Sequence, residues 1–292
     1  MGNEFDIQKY MSDGVERVVK EAVRAAFKHP EQAAFLANFA VASKKASVIR
    51  ASAERRGEHI PPFLIASITS RCNLHCKGCY SRENGETDDC APSNQLTAGE
   101  WYKIFSESEK LGISFILLAG GEPLLRKDVI LEAVKIPNIF FPIFTNGVFM
   151  NDEYFELFSE YHNLVPVIAD SGHLTLNENH QSFLREEVAR LRRDTPEMVF
   201  ISFPGDEKTS EGCVAAGRGF FHINSRGGAE PCPFSPFSDI NVKETSVREA
   251  LKSPLFSALQ AGNFLKDDHV GGCTLFAKKD KVEKLIQKMI TG

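Results

Sequence analysis

The sequence contains nothing that reads as a bilayer-crossing segment: no apolar run approaches the roughly 18 residues a membrane helix needs. It also lacks a basic excess. Lys and Arg number 34 against 39 Asp and Glu, a formal net charge of −5, whereas a surface built for nucleic acid would be basic. Residues 1–10 lack the basic-then-apolar pattern of a secretory leader. We therefore expect a cytoplasmic protein that engages neither membrane nor nucleic acid. Internal repeats and low-complexity segments are missing too. The seven cysteines are odd in number and sit in a chain of 292 residues, which fits a small secreted disulfide scaffold poorly. In a reducing compartment, clustered cysteines more often serve metals.

What is present has ordinary globular composition, 42% hydrophobic and 25% charged. The length allows one α/β domain of roughly 200 residues with smaller additions. Three regions are expected: a helical extension over 1–60, a strand–helix domain over 61–204 and a smaller domain over 205–292. In the first, Val15, Val18, Val19, Ala22, Val23 and Ala26 recur at helical spacing. Pro30 ends that pattern, and a second helix is predicted over 31–56 with Phe35, Leu36, Phe39 and Ile49 on its apolar side. Such an amphipathic pair needs a surface to pack on, as a structural cap or as a cover for substrate or partner.

After Pro61-Pro62 the pattern alternates. Strands are predicted at 63–69, 115–118, 140–144, 164–169 and 198–203, and helices at 97–111, 128–135, 152–161 and 178–193. Thr97 with Glu100 three residues on forms a capping box for the first of these helices. Apolar strands alternating with helices argue for a parallel sheet, open or closed into a barrel. From Gly205 the alternation stops. A hairpin is predicted from 220–223 through a turn at 224–228 towards Cys232. Helical patterns follow at 247–259 and 281–290.

The most informative stretch is Cys72-Asn73-Leu74-His75-Cys76-Lys77-Gly78-Cys79-Tyr80. Three thiolates in eight residues can curl around one ion or cluster, and thiolates suit zinc and iron–sulfur groups. Gly78 permits a tight turn between the last two. Three ligands leave a coordination position open, a catalytic arrangement, where structural sites are closed. The loop leaves the C-terminal end of the first strand, the end that carries active sites in parallel α/β folds. On spacing alone, a zinc site completed by His75 or Cys90 is the alternative. Gly120-Gly121-Glu122-Pro123 ends the second strand, where two glycines let backbone approach a ligand closely. Thr145-Asn146-Gly147 ends the third, as a turn or as a ligand contact.

C-x3-C-x2-C followed by an aromatic, with Gly-Gly-Glu-Pro at the end of the next strand, resembles the radical S-adenosylmethionine (SAM) superfamily. The resemblance implies a partial (β/α) barrel of five to six parallel strands, with Cys72, Cys76 and Cys79 holding three irons of a [4Fe-4S] cluster. The fourth iron would chelate the amino and carboxylate groups of SAM. Tyr80 would lie beside the adenine. Gly120, Gly121, Glu122 and Pro123 would meet the SAM amino group, and Thr145 or Asn146 would contact SAM. Superfamily barrels usually have six strands, and one strand–helix unit is missing or contracted between 170 and 198. Asp170, Ser171 and His173 stand at a strand end there and are candidate SAM contacts. No catalytic side chain is assigned.

Cys213 and Cys232 flank the predicted hairpin, whose ends must meet. Their spacing resembles the SPASM and twitch domains of radical SAM enzymes, which carry auxiliary iron–sulfur clusters, and Cys273 falls where a further ligand is expected. The chain departs from that pattern in having Cys273-Thr274-Leu275-Phe276 where a Cys-x-x-Cys pair often stands. The auxiliary [4Fe-4S] cluster would then keep an open iron, or be completed by Cys90 or a non-cysteine group. Three unrelated buried thiols are the alternative. The implied activity is reductive cleavage of SAM to a 5′-deoxyadenosyl radical that takes hydrogen from a small-molecule or peptide substrate. The electron donor would be of the flavodoxin or ferredoxin kind. An iron–sulfur electron-transfer protein without substrate chemistry, and a zinc-stapled binding module, are the readings from other classes.

Overall fold

A computed structural model describes residues 30–90, 92–168, 212–262, 264–265 and 273–291. The architecture is α/β, with seven described strands in one sheet of order β4-β3-β2-β1-β5-β6-β7. The strands are β1 (Phe63–Thr69), β2 (Phe115–Gly120), β3 (Phe141–Thr145), β4 (Leu164–Ile168), β5 (Phe220–Ile223), β6 (Gly228–Glu230) and β7 (Ile240–Asn241). All pairings from β4 to β5 are parallel, and the hairpin β5–β6–β7 is antiparallel. Among the described residues no helix is long and apolar enough to cross a membrane. The patterns at 15–26, 178–193 and 198–203, and Asp170, Ser171 and His173, lie outside the described residues.

Alternation along β1 separates two faces. Leu64, Ala66 and Ile68 are fully buried on one, with Ile116 and Leu118 of β2 and Phe141 and Ile143 of β3. Helices α3 (Ala98–Leu111) and α4 (Lys127–Val134) cover that face with Trp101, Phe105, Val129 and Ile130. Each large apolar side chain so buried contributes about 1.5–3 kcal/mol. The capping box at Thr97 and Glu100 starts α3, and Gly112, in the left-handed region at φ 87°, ends it. On the other face, Phe63, Phe115, Leu117, Ala119 and Phe140 form a second cluster with Phe39 of α1 (Pro30–Glu54). Phe63, Phe115 and Phe140 sit towards the N-terminal ends of the strands, and Ala119 lies level with Ser67. Ser67 and Thr69 continue the same face towards the C-terminal ends.

Helix α1 begins near the predicted boundary, but its packing stripe differs from the expected one. Leu36, Phe39, Ala46, Arg50 and Ala53 are buried, whereas Ile49 is 40% exposed. The stripe advances by three and four residues, and small side chains let α1 approach the end of α3. Arg50 donates to the Gly112 carbonyl there.

After α5 (Asp152–Glu160), the helical pattern at 247–259 resolves into α6 (Val247–Ala250) and α7 (Pro254–Ala261). Proline cannot continue a helix from the preceding turn, and the Ser253 hydroxyl accepts from the Phe256 N–H to start the second one. A short helix, α2 (Tyr80–Glu83), follows the cysteine loop. Helices α8 (Thr274–Ala277) and α9 (Lys279–Thr291) close the described chain. The hairpin is hydrogen-bonded directly onto β1, so residues on both sides of 169–211 share one sheet.

Candidate functional site

The cysteine loop leaves β1 and is tied down on three sides. The Cys72 N–H donates to the Asp88 carbonyl (2.9 Å) and the Asp88 N–H to the Ser70 carbonyl (2.9 Å), closing the loop at its base. The Arg82 guanidinium donates to the carbonyls of Leu74 (3.0 Å) and Cys72 (3.3 Å) and pairs with Asp89 at 2.9 Å. The Asn146 amide donates to the Asn73 side-chain oxygen (3.0 Å), joining the loop to the end of β3. Cys79 caps α2 and its N–H reaches the Cys76 carbonyl at 3.2 Å. Gly78, at φ 79°, makes the turn between them. Cys76 is exposed, and Cys72 and Cys79 are half-buried. Burial pushes the Cys72 thiol up, reinforced by Glu122 and Cys79 and opposed by the Leu74 N–H and Arg82.

The Gly-Gly-Glu-Pro segment is fitted against this loop. A Cβ at Gly120 would meet the Thr69 carbonyl oxygen at 2.2 Å, and one at Gly121 the Arg71 carbonyl oxygen at 2.1 Å. Only glycine lets the end of β2 approach so near. The Gly121 and Glu122 N–H groups donate to the carbonyls of Thr69 and Arg71, both at 2.8 Å. The Glu122 carboxylate is buried. It accepts from the Leu124 N–H (3.0 Å), the Thr145 hydroxyl (2.7 Å) and the Asn146 N–H (2.9 Å). The side chains of Glu122 and Thr145 therefore bind β2 to β3, and Pro123 begins a 3-10 turn behind them.

Tyr80 turns towards the hairpin, with its ring 4.3 Å from that of Phe234. Burial pushes its hydroxyl up to about 12, reinforced by the nearness of Cys79, Cys232 and Glu230. Tyr80 thus stands between the two cysteine sets. It also borders a cleft over the C-terminal ends of β1, β2 and β5, lined by Ser67, Thr69, Glu86, Gly120 and His222 among others.

The hairpin brings its two ends together: the Ala216 N–H donates to the Pro231 carbonyl at 3.0 Å. Cys232 is fully buried, and its sulfur is hydrogen-bonded to that of Cys273. This bond, burial and the nearness of Cys273 and Cys213 together drive the Cys232 thiol well above its ordinary range. Cys213, Cys232 and Cys273 are therefore neighbours in space although 60 residues apart at the extremes. The Ser235 hydroxyl, buried beside Cys232, has no hydrogen-bond partner. Cys90 is exposed, and His75 pairs with Asp89 at 3.0 Å.

Among the described residues, no three His, Cys, Asp or Glu side chains converge on the geometry of a single bound ion. The fit of an iron–sulfur group therefore rests on donor chemistry: two sets of three cysteines outside any disulfide, the first with Cys76 exposed and the second gathered round the buried Cys232. Sequence reasoning brings these residues together. It misses Arg82, Asn73 and the third face of the cleft, His222. An Arg and an Asn beside clustered cysteines give no periodic signal, and His222 reads only as one residue of a short strand.

Residues 66–200 match the family model of the Radical SAM superfamily. Among solved structures, the chain is similar to Streptococcus suis SuiB bound to precursor peptide SuiA. That match has 14% identity and a TM-score of 0.54, over 75% of this chain and 70% of that one. SuiB bound to S-adenosylmethionine matches at 14% identity and a TM-score of 0.53, with the same coverage. BtrN in an open conformation matches at 17% identity and a TM-score of 0.48, over 72% of this chain and 87% of that one. At this identity, the two SuiB matches establish the fold: a partial barrel of the radical SAM type.

Proposed function

We propose that the chain is a radical SAM enzyme acting on a substrate held at the C-terminal mouth of the sheet. The observation that carries this reading is a loop of three free thiols leaving β1, packed against a Gly-Gly-Glu-Pro turn that only glycine permits. Cys72, Cys76 and Cys79 would hold three irons of a [4Fe-4S] cluster. When bound, that group supplies the electron that cleaves SAM to methionine and a 5′-deoxyadenosyl radical, which takes hydrogen from substrate. The chain's own part is positioning. Arg82, Asp88 and Asn73 fix the thiol loop, while Glu122 locks the ends of β2 and β3 beside it. Gly120, Gly121, Pro123, Thr145 and Asn146 border the space SAM would take, with Tyr80 walling it off from the hairpin.

Cys213, Cys232 and Cys273 would hold the auxiliary cluster of a twitch-like region. Their proximity and the unpartnered Ser235 hydroxyl support that assignment. The substrate is a small molecule or a peptide, the latter being what SuiB binds in one of the matching structures. A flavodoxin- or ferredoxin-type donor would supply the electron.

The test is anaerobic reconstitution with iron and sulfide analysis, followed by quantification of 5′-deoxyadenosine with dithionite and SAM. About eight irons per chain, the content of two [4Fe-4S] groups, and SAM-dependent 5′-deoxyadenosine are expected. Cys76→Ala should abolish that product. Its formation at wild-type rate in the variant, or zinc with no iron, would overturn the reading.

A further inference from the structure

Ser67, His222 and Glu230 form a hydrogen-bonded line across three strands. His222 Nδ1 lies 2.7 Å from Glu230 Oε2, and Nε2 lies 2.7 Å from Ser67 Oγ. The other Glu230 oxygen accepts from the Asn224 amide at 2.5 Å. Register produces the alignment. Parallel pairing sets His222 of β5 opposite Ile65 of β1, two residues from Ser67 on the same face, and antiparallel pairing sets it opposite Glu230 of β6. His222 is 4% exposed and Glu230 2%.

The sheet does not require these side chains. Backbone hydrogen bonds already join the strands, and burying a carboxylate with an imidazole costs desolvation that an apolar pair would avoid. Chemistry gives the line a direction. An ionised carboxylate only accepts, so His222 Nδ1 carries its proton towards Glu230. Nε2 is then an acceptor facing the Ser67 hydroxyl. Ser67 is the end of the line that opens on the cleft, beside Thr69, Ser81, Glu86 and Asn224. The described lining holds no Lys or Arg and is rich in acceptors. It suits a molecule presenting a hydroxyl or an ammonium group.

We propose that Ser67, His222 and Glu230 form a general-base site for such a substrate in this cleft. The substrate O–H or N–H bond breaks and its electron pair stays on the substrate atom. The proton goes to Ser67 Oγ as the Ser67 proton passes to His222 Nε2. The carboxylate of Glu230 orients the ring and offsets the imidazolium charge without changing its own protonation. No iron and no SAM take part in this step, although the cleft shares Tyr80 and Gly120 with the space proposed for SAM.

An alkyl fluorophosphonate is a substrate-free probe of a hydroxyl whose proton has an acceptor. The Ser67 O–P bond forms, the P–F bond breaks, fluoride leaves and the proton passes to His222. On the full-length protein, with and without reconstituted iron, we expect one adduct, on Ser67, and none in Ser67→Ala. His222→Gln should slow it by about 100-fold, the lower range for a lost general base. Nitrogen NMR of histidine-labelled wild-type protein supplies a readout that does not depend on the His222 variant folding. The imidazole whose Nε2 signal moves in Ser67→Ala should be the Nδ1–H tautomer. The site is overturned by the Nε2–H tautomer, by the lack of a Ser67 adduct in wild type, or by equally fast labelling of His222→Gln.

Discussion

The two cysteine sets of this chain are built in opposite ways. Cys72, Cys76 and Cys79 lie within one loop, and Cys76 is exposed at a mouth bordered by glycines. Cys213, Cys232 and Cys273 come from three separate segments and meet around a buried sulfur already hydrogen-bonded to its neighbour. The first set owes its geometry to side chains that hold a loop from outside. The second owes it to the packing of the hairpin and the start of α8. A loop set can be left open on one side and still keep its shape. A set assembled from distant segments is closed by the same packing that forms it.

The largest expected effect tests whether the open site's frame is stiffer than its thiols. Glu122→Ala would strand three donors, the Leu124 and Asn146 N–H groups and the Thr145 hydroxyl, in a buried position. Each unmade bond of this kind costs about 1–3 kcal/mol, and partial rehydration of the hole should leave a loss of about 3 kcal/mol by denaturant unfolding. A loss well under 1 kcal/mol would mean that the ends of β2 and β3 do not depend on this carboxylate.

A smaller effect separates the cysteines themselves. In iron-free protein, Cys232→Ala should cost about 1 kcal/mol, because it truncates a buried side chain and removes the hydrogen bond between two sulfurs. Cys76→Ala should stay within about 0.5 kcal/mol, as for other exposed positions. Iodoacetamide should follow the same order. Cys76 should be alkylated early and Cys232 last, because Cys232 is buried and its thiolate is disfavoured. Equal rates at the two positions would erase the contrast between an open and a closed set.

Much of this is legible in the sequence where chemistry is local. Thr97 and Glu100 announce α3, and the spacing of Cys72, Cys76 and Cys79 sets three thiols on one loop without reference to any fold. The hairpin at 220–230 is legible from its turn, and with it the meeting of Cys213 and Cys232. What periodicity does not encode is partnership over distance. That β5 adds in parallel to β1, over 150 residues earlier, depends on the edge left free by the other strands, and the Ser67–His222 hydrogen bond follows from it. Arg50 and the alanines of α1 are illegible for another reason. A buried arginine donates to a carbonyl at a helix end, a contact that no pattern of apolar residues reveals. The double glycine reads as room for a ligand, and its nearest constraint is the backbone of Thr69 and Arg71.

Arg82 gives the smallest and most selective test. Its guanidinium bonds the carbonyls of Cys72 and Leu74 and the Asp89 carboxylate, all within or beside the thiol loop and none in the sheet. Arg82→Ala should therefore leave the unfolding transition where it is. Losing a group that holds a ligand residue from behind typically weakens metal binding by 10- to 100-fold. We expect about a 10-fold drop in iron affinity at the loop set, with iron at the buried set unchanged, since Arg82 bonds none of its three segments. Chelator competition on reconstituted protein, compared between Arg82→Ala and wild type, measures this directly. If both sets lost iron together, the two would not be independent structures, and the path between them would run through Tyr80 and Phe234, the rings that meet where the loop faces the hairpin.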